Sequence, residues 1–183
     1  MPSLKKASEK MDKAVEAMRR EFTGVRTGKA SPALLDSIRV EAYGSQVPLN
    51  QVATVSAPEP RLLVIQPWDR AMISPIEKAL QTSDLGLNPS NDGKVVRVPI
   101  PPLTEERRRE YVKLLHKIAE DGRVAVRMVR KDANDEIKHR QKDGEISEDE
   151  ARREQDEVQK LTDRHISQID ELLKHKEAEV MEV

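Results

Sequence analysis

The prolines of this 183-residue chain are concentrated in its middle. Ten of the eleven lie between Pro32 and Pro102, and no proline follows Pro102. Proline removes a backbone hydrogen-bond donor and breaks helices, so no long helix can run through residues 32–102. The distribution therefore predicts a region of short elements between two segments that are free to form long helices.

Both flanking segments repeat apolar residues at helical spacing, every three or four positions. Before the prolines, the stripe comprises Leu4, Ala7, Met11, Val15, Met18, Phe22 and Val25. It predicts an amphipathic helix that stops at Gly28, because glycine readily adopts the left-handed conformation that follows a last turn. After the prolines, the stripe comprises Tyr111, Leu115, Ile118, Ala125, Val129, Ala133 and Ile137.

The second segment is predicted to form two helices. Thr104 is a suitable N-cap for the first, and Asp143-Gly144 interrupts it. Ser147 and Glu150 have the spacing of a capping box, which predicts that another helix begins there. Val158, Leu161, His165, Ile169 and Leu172 continue its apolar stripe, on which His165 is expected to be a partly buried core residue.

The proline-rich middle has the pattern of a small mixed unit. Strand-like runs occupy residues 38–43, 52–55, 61–65 and 95–98, and Asn91-Asp92-Gly93 is a turn signal before the last run. Ser74, followed by proline and then Glu77, predicts a helix start with Ser74 as N-cap.

These elements predict an α+β fold in which each amphipathic helix finds a partner. We expect a long three-helix bundle from residues 1–30 plus 104–183, with a small β/α/β domain at residues 31–103 inserted between its first two helices. Both connections are short and contain proline, so a hinge of limited range is expected at Ala30, Ser31, Leu103 and Thr104.

Charge separates along the chain although the net charge is only −1. Residues 1–30 carry +4, 31–104 carry −1, 105–143 carry +3 and 144–183 carry −7. On the second long helix, five basic side chains fall within about 60° of one another. They are Arg109, His116, Arg123, Arg127 and Arg130. A generic helix face of this kind would be solvated and partly paired with neighbours such as Asp132 and Asp135, but guanidinium groups also suit phosphate.

The sequence offers little for catalysis or base recognition. It has no cysteine, its four histidines are scattered, and residues 24–30 (GVRTGKA) depart from a phosphate-binding loop in spacing and in the absence of Ser or Thr at the end. Only four aromatic residues are present, so contact with RNA is expected through backbone and shape rather than base stacking. We expect no catalytic residues, no metal site, no cofactor and no enzymatic activity.

The location of the protein is inferred from what the hydropathy pattern lacks. No apolar run approaches the ~20 residues that span a bilayer, and the first ten residues lack a secretory apolar stretch. We expect a cytoplasmic protein with no membrane partner.

Five stretches together resemble the ribosome recycling factor family of bacteria and organelles. They are residues 26–32 (RTGKASP), 84–89 (DLGLNP), 101–108 (PPLTEERR), 123–130 (RVAVRMVR) and 158–163 (VQKLTD). The resemblance covers essentially the whole chain in order. It implies an L-shaped arrangement of a three-helix bundle and an inserted β/α/β domain. It also implies a monomer that binds large-subunit ribosomal RNA and, with elongation factor G, splits ribosomes after termination.

The resemblance also implies which residues touch RNA. They are Arg26, Lys29, Arg123, Arg127, Arg130 and Lys131, where Lys29 and Lys131 replace the arginine common in the family. Two other classes stay open on the residues alone. A coiled-coil scaffold would lack salt-dependent RNA affinity, and a hydrolase using the acidic run near Glu148 would lose activity on Glu148→Gln.

Overall fold

Four helices and six strands make up the part of the chain that the computed structural model describes, residues 2–182. In chain order they are α1 (Pro2–Thr23), β1 (Arg39–Ala42), β2 (Ser45–Pro48), β3 (Ala53–Glu59), β4 (Leu62–Pro67), α2 (Ile73–Gln81), β5 (Ser90–Asn91), β6 (Val96–Pro99), α3 (Glu105–Lys142) and α4 (Glu148–Met181). Short 3₁₀ turns lie at Pro32–Leu35, Leu49–Gln51 and Arg70–Met72. The α+β fold class is confirmed.

The chain divides into two compact units. One contains the chain up to Thr27 together with the chain from Glu105 onward, and the other is Gly28–Thr104. Gly28 adopts a φ of +79°, and the Ala30 N–H donates to the Pro60 carbonyl oxygen at 2.6 Å. Residues 28–30 are thereby tied to the second unit.

In the first unit, α1, α3 and α4 pack against one another in a three-helix bundle. Their apolar stripes meet in its interior, where Met11, Val15, Leu115, Val126 and Ile169 are buried. Helices α3 and α4 contain 38 and 34 residues, which corresponds to about 57 and 51 Å at the usual rise. The short Asp143-Gly144 connection makes them antiparallel neighbours.

Two polar contacts cross the bundle core. His165 is 3% exposed, with its Nδ1 atom 2.7 Å from the Leu161 carbonyl oxygen and its Nε2 atom 2.7 Å from Asp12 Oδ1. Near the other end, Arg140 of α3 pairs with the buried Glu154 of α4 at 2.8 Å. Because each buried polar group finds a partner, these contacts fix how the helices face each other without large desolvation cost.

The second unit is built on a four-stranded antiparallel sheet in the order β3-β4-β6-β5, with β1 and β2 forming a separate hairpin. Strands β4 and β6 alternate buried and more exposed side chains, so Leu63, Ile65, Val96 and Val98 point into one core. Helix α2 buries Ile73, Ile76 and Leu80 in that same core.

Three local predictions are wrong. Helix α1 ends at Thr23, since Gly24 and Val25 already turn back onto the carbonyls of the last turn, and Gly28 belongs to the next unit. Asp69 caps the 3₁₀ turn before α2 through the Ala71 N–H, so Ser74 lies inside the helix and caps nothing. Ala125 is exposed on α3, while Gly122 and Val126 are buried instead.

Candidate nucleic-acid interface

The arginines predicted to bind RNA lie mainly on one flank of α3, beside α4. His116 of α3 pairs with Glu177 of α4, and Arg123 pairs with Asp170. Because the two helices run antiparallel, a step of seven residues forward on α3 corresponds to a step of seven residues back on α4. The same register places Asp163 level with Arg130. We call this row of Arg123, Arg127 and Arg130 the arginine flank.

Arg123 is the most constrained member of the arginine flank. Its Nε and Nη2 atoms donate to Asp170 Oδ1 at 2.9 and 2.7 Å, and its Nη1 atom donates to Glu120 at 3.0 Å. Only 19% of its side chain is exposed. Burial by itself would lower the pKa of Arg123, but the hydrogen bonds to Asp170 and Glu120 outweigh burial and raise it.

Arg127 is exposed and shares an acid with Arg123. Its Nη1 atom lies 3.3 Å from Glu120 Oε1, and both side chains are about half exposed. Exposed pairs of this kind contribute about 0–1 kcal/mol, so a phosphate can replace the carboxylate at little cost.

Arg130 differs from both neighbours. The side chain is half-buried, yet within residues 2–182 it makes no ion pair. Asp163, the acid level with it on α4, instead accepts a hydrogen bond from Gln159 Nε2 at 2.9 Å. Among residues 2–182, the guanidinium of Arg130 is therefore not engaged by a carboxylate.

The remaining predicted RNA contacts are distributed over both units. Lys131 is exposed on α3, and Arg26 is half-buried just after α1. Lys29 is exposed in the second unit, as part of the segment that Gly28 begins. The structure thus brings together Arg123, Arg127 and Arg130, with Lys131 next to Arg130 in the sequence.

Sequence reasoning missed the acids that matter on the arginine flank. It expected pairing with Asp132 and Asp135, but among the described residues neither makes an ion pair, and Glu120 and Asp170 pair instead. The seven-residue spacing of Asp163, Asp170 and Glu177 on α4 was a usable signal. The sequence alone did not show which residues of α3 these acids face, because that depends on the antiparallel register of α3 and α4.

The alternative chemical sites are accounted for by local structure. Glu150 accepts the Ser147 N–H and completes the predicted capping box, which lowers the pKa of Glu150. Glu148 pairs with Arg152 at 3.2 Å, so the acidic run serves the start of α4. Residues 24–30 follow a helix and do not link a strand to one, unlike a phosphate-binding loop.

Among residues 2–182, no three His, Cys, Asp or Glu side chains group in a way that could hold a metal ion. None of the helices in that range is both long and apolar enough to cross a bilayer.

Fold and site together define a class: a three-helix-bundle protein with an inserted α/β unit and a row of arginines on its second long helix. The family model for the ribosome recycling factor matches residues 18–181. The chain belongs to the ribosome recycling factor family, which consists of translation factors and not of enzymes.

Individual relatives extend the likeness over nearly the whole chain. The ribosome-recycling factor of Symbiobacterium thermophilum is 59% identical over 180 residues, covering 98% of this chain and 97% of the relative. That of Carboxydothermus hydrogenoformans is 58% identical with the same coverage.

Solved structures of the family share the fold. A solution structure of the ribosome recycling factor is 49% identical and superposes with a TM-score of 0.76, covering 100% of this chain and 97% of the other. A second matching chain, at 47% identity and TM-score 0.65, covers 99% of this chain and 98% of its own. It comes from models of the T. thermophilus factor and E. coli elongation factor G bound to the E. coli post-termination complex.

Proposed function

We propose that this protein recycles ribosomes after translation termination. It binds the post-termination ribosome and, together with elongation factor G, promotes splitting of the subunits and release from messenger RNA. Family membership supports the process, and the second structural relative supports the partner. The protein acts in the cytoplasm as a monomer and contributes binding and mechanical force transfer, with GTP hydrolysis left to the elongation factor.

The observation that carries this proposal is the state of Arg130. It is a half-buried guanidinium without an ion pair among the described residues, next to exposed Arg127 and Lys131. A planar fork of donors matches phosphate oxygens, and phosphate contacts dominate the affinity of proteins for nucleic acid. We propose that Arg130 anchors the bundle on large-subunit ribosomal RNA, with Arg26, Lys29, Arg123, Arg127 and Lys131 as further contacts.

The two units divide the work in this proposal. The bundle supplies the anchor, because its helices are long, mutually packed and carry the arginine flank. The inserted unit receives the push of elongation factor G, and its two chain connections act as the hinge. We keep the second at Leu103 and Thr104 but move the first from Ala30 and Ser31 to Thr27–Gly28, because Ala30 is bonded within the second unit. Displacement of the inserted unit against an anchored bundle then disrupts contacts between the ribosomal subunits.

Replacing Arg130 tests the anchor directly. In co-sedimentation with purified large subunits, we expect Arg130→Ala to weaken binding about tenfold or more, since a hydrogen bond to a charged group contributes about 1.5–3 kcal/mol. The slope of log affinity against log salt should become shallower by about 1.

Arg152→Ala provides the matched control, because Arg152 is exposed on α4 and, among residues 2–182, its ion pair is with Glu148 four residues away. We expect it to bind as the wild type does. If Arg130→Ala and Arg152→Ala bind alike at two salt concentrations, Arg130 is not the anchor. If the unaltered protein shows no salt-dependent binding at all, the scaffold alternative gains support.

A further inference from the structure

Two carboxylates, those of Glu120 and Asp170, pair with the arginine flank and would compete there with a phosphate. Glu120 and Asp170 occupy all three donor nitrogens of Arg123, at 3.0, 2.9 and 2.7 Å, and Glu120 also holds Arg127 at 3.3 Å. These carboxylates come from two helices, α3 and α4. The contacts of Glu120 lie within α3, whereas the pairing of Arg123 with Asp170 depends on how α3 and α4 pack.

A phosphate cannot bind the guanidinium nitrogens of Arg123 while their hydrogen bonds to Asp170 and Glu120 are in place. The Arg123 side chain is four-fifths covered, and Asp170 Oδ1 accepts from two nitrogens of its guanidinium at once. An incoming phosphate must displace Asp170 and Glu120 or lie beside them, where like charges repel. Asp170 is 54% exposed and Glu120 53%, so both carboxylates can swing away into solvent.

Among residues 2–182, Glu120 and Asp170 pair with Arg123 and Arg127 but not with Arg130. Continuing the register of the bundle by seven residues brings Asp163 level with it, but among the described residues Asp163 makes a hydrogen bond with Gln159 at 2.9 Å and no ion pair. Arg130 is thus left available while Arg123 is neutralised. Among residues 2–182, α4 therefore supplies a carboxylate to Arg123 and none to Arg130, although both lie on the same flank of α3.

We propose that Glu120 and Asp170 are positioning residues that limit how tightly the arginine flank holds ribosomal RNA. This rests on the proposed function, and it adds regulation to the same site. Arg130 makes the first contact, whereas Arg123 and Arg127 engage phosphate only in exchange for their carboxylates. Because that exchange is reversible, the acids speed departure from RNA by recapturing the arginines.

Removing the two charges separately tests the competition. We expect Asp170→Asn and Glu120→Gln each to raise large-subunit affinity several-fold, mainly through slower dissociation. The salt slope should steepen by about 1, as for one additional phosphate contact. Adding Arg123→Ala to Asp170→Asn should abolish the gain, because the aspartate acts through that arginine.

Matched controls separate this effect from net charge and from folding. Glu171→Gln changes the net charge as Asp170→Asn does, at an exposed neighbouring position that makes no ion pair among residues 2–182, and it should leave affinity unchanged. Urea denaturation of every variant shows whether the fold persists, and Glu120→Gln provides a second variant if Asp170→Asn unfolds.

The outcomes distinguish this inference from the function on which it rests. If Arg130→Ala weakens binding but neither acid variant tightens it, the acids are structural and the inference is wrong. Equal tightening by Glu171→Gln would also overturn it, since the effect would be one of net charge. If Arg130→Ala has no effect, the RNA anchor itself fails.

Discussion

At the scale of single residues, availability and not identity decides what an arginine can do. Arg123 and Arg130 are seven positions apart on the same flank of α3, and nothing in their side chains distinguishes them. Asp170 and Glu120 pair with the first, whereas the second makes no ion pair among residues 2–182. A guanidinium whose donors are all hydrogen-bonded within the protein supports the fold, whereas one with free donors can bind an external anion.

A different carboxylate, Asp92, gives the second unit a defined sensitivity to acid. Its Oδ1 atom accepts the backbone N–H groups of Val95 and Lys94, both at 2.9 Å, and its Oδ2 atom accepts from Arg97 at 2.7 Å. The Val95 N–H, the Lys94 N–H and the Arg97 guanidinium together hold the pKa of Asp92 well below its ordinary value. A lowered pKa stabilises the folded state above the ordinary value of about 4, and that contribution is lost as pH falls further.

We therefore expect Asp92→Asn to be less stable than the wild type at pH 7, with the difference shrinking as the pH is lowered from about 5 towards about 2. Urea denaturation at each pH, followed by far-UV circular dichroism with the fluorescence of the single tryptophan Trp68 as a second signal from this unit, measures the unfolding. Two curves that stay parallel across this range would show that Asp92 contributes no acid sensitivity.

At the scale of elements, sequence signals succeed where the local contact is complete within the segment. Ser147 and Glu150 cap α4 as predicted, because both partners of the capping box lie within four residues. Ser74 has the same signature and fails, since Asp69 starts a 3₁₀ turn upstream and carries the chain into α2. A cap predicted from spacing holds only if no earlier residue begins the turn.

Close packing between α3 and α1 involves a glycine, Gly122, which faces α1. A Cβ atom at this position would lie 3.1 Å from the Sδ atom of Met18, which is itself buried. The stripe predicted on α3 included Ala125 and passed over Gly122, because glycine has no side chain to register as apolar. Its role is close approach between the two helices.

We expect Gly122→Leu to lower the free energy of unfolding of the bundle. Overpacking a tight contact costs about 1–3 kcal/mol, which outweighs the gain of about 1 kcal/mol from replacing glycine inside a helix. Ala125→Leu, on the exposed side of α3, should remain within about 0.5 kcal/mol of the wild type. Urea denaturation followed by far-UV circular dichroism measures both, and equal stability of the two variants would mean that α1 can move away.

At the scale of the whole molecule, the two units are joined by two chain connections. The first lies before Gly28, because the Ala30 N–H is bonded to Pro60 within the second unit, and the second leads through Thr104 into α3. In the proposed function, these connections must transmit displacement of the inserted unit to subunits held by the bundle. Their length and stiffness should therefore matter for splitting and not for binding.

We expect a Gly-Ser-Gly-Ser insertion at both Thr27–Gly28 and Leu103–Thr104 to leave large-subunit binding unchanged but to reduce splitting several-fold. Flexible insertions cost little stability and no longer transmit force. Light scattering with elongation factor G and GTP measures splitting, and co-sedimentation measures binding. The same insertion at Asp143–Gly144, in the α3–α4 turn, is the control; full splitting by the doubly inserted protein would contradict the proposed hinge.

The sequence by itself determined the element types and much of their placement. Proline confined the short elements to the middle, apolar spacing defined three long helices, and the motifs at residues 26–32 and 123–130 indicated the family that the comparisons confirm. These features are readable because each depends on residues close together in the chain. Periodicity, capping and breaking are local physics.

Only the tertiary structure decided which charges are available. The pairing of Arg123 with Asp170 spans 47 residues, and within residues 2–182 no such ion pair reaches Arg130 from α4. The burial of Gly122 against Met18 and the contact of His165 with Asp12 arise in the same way. A helix face can be read from spacing, but what lies opposite it is set by packing register, which depends on the whole bundle at once.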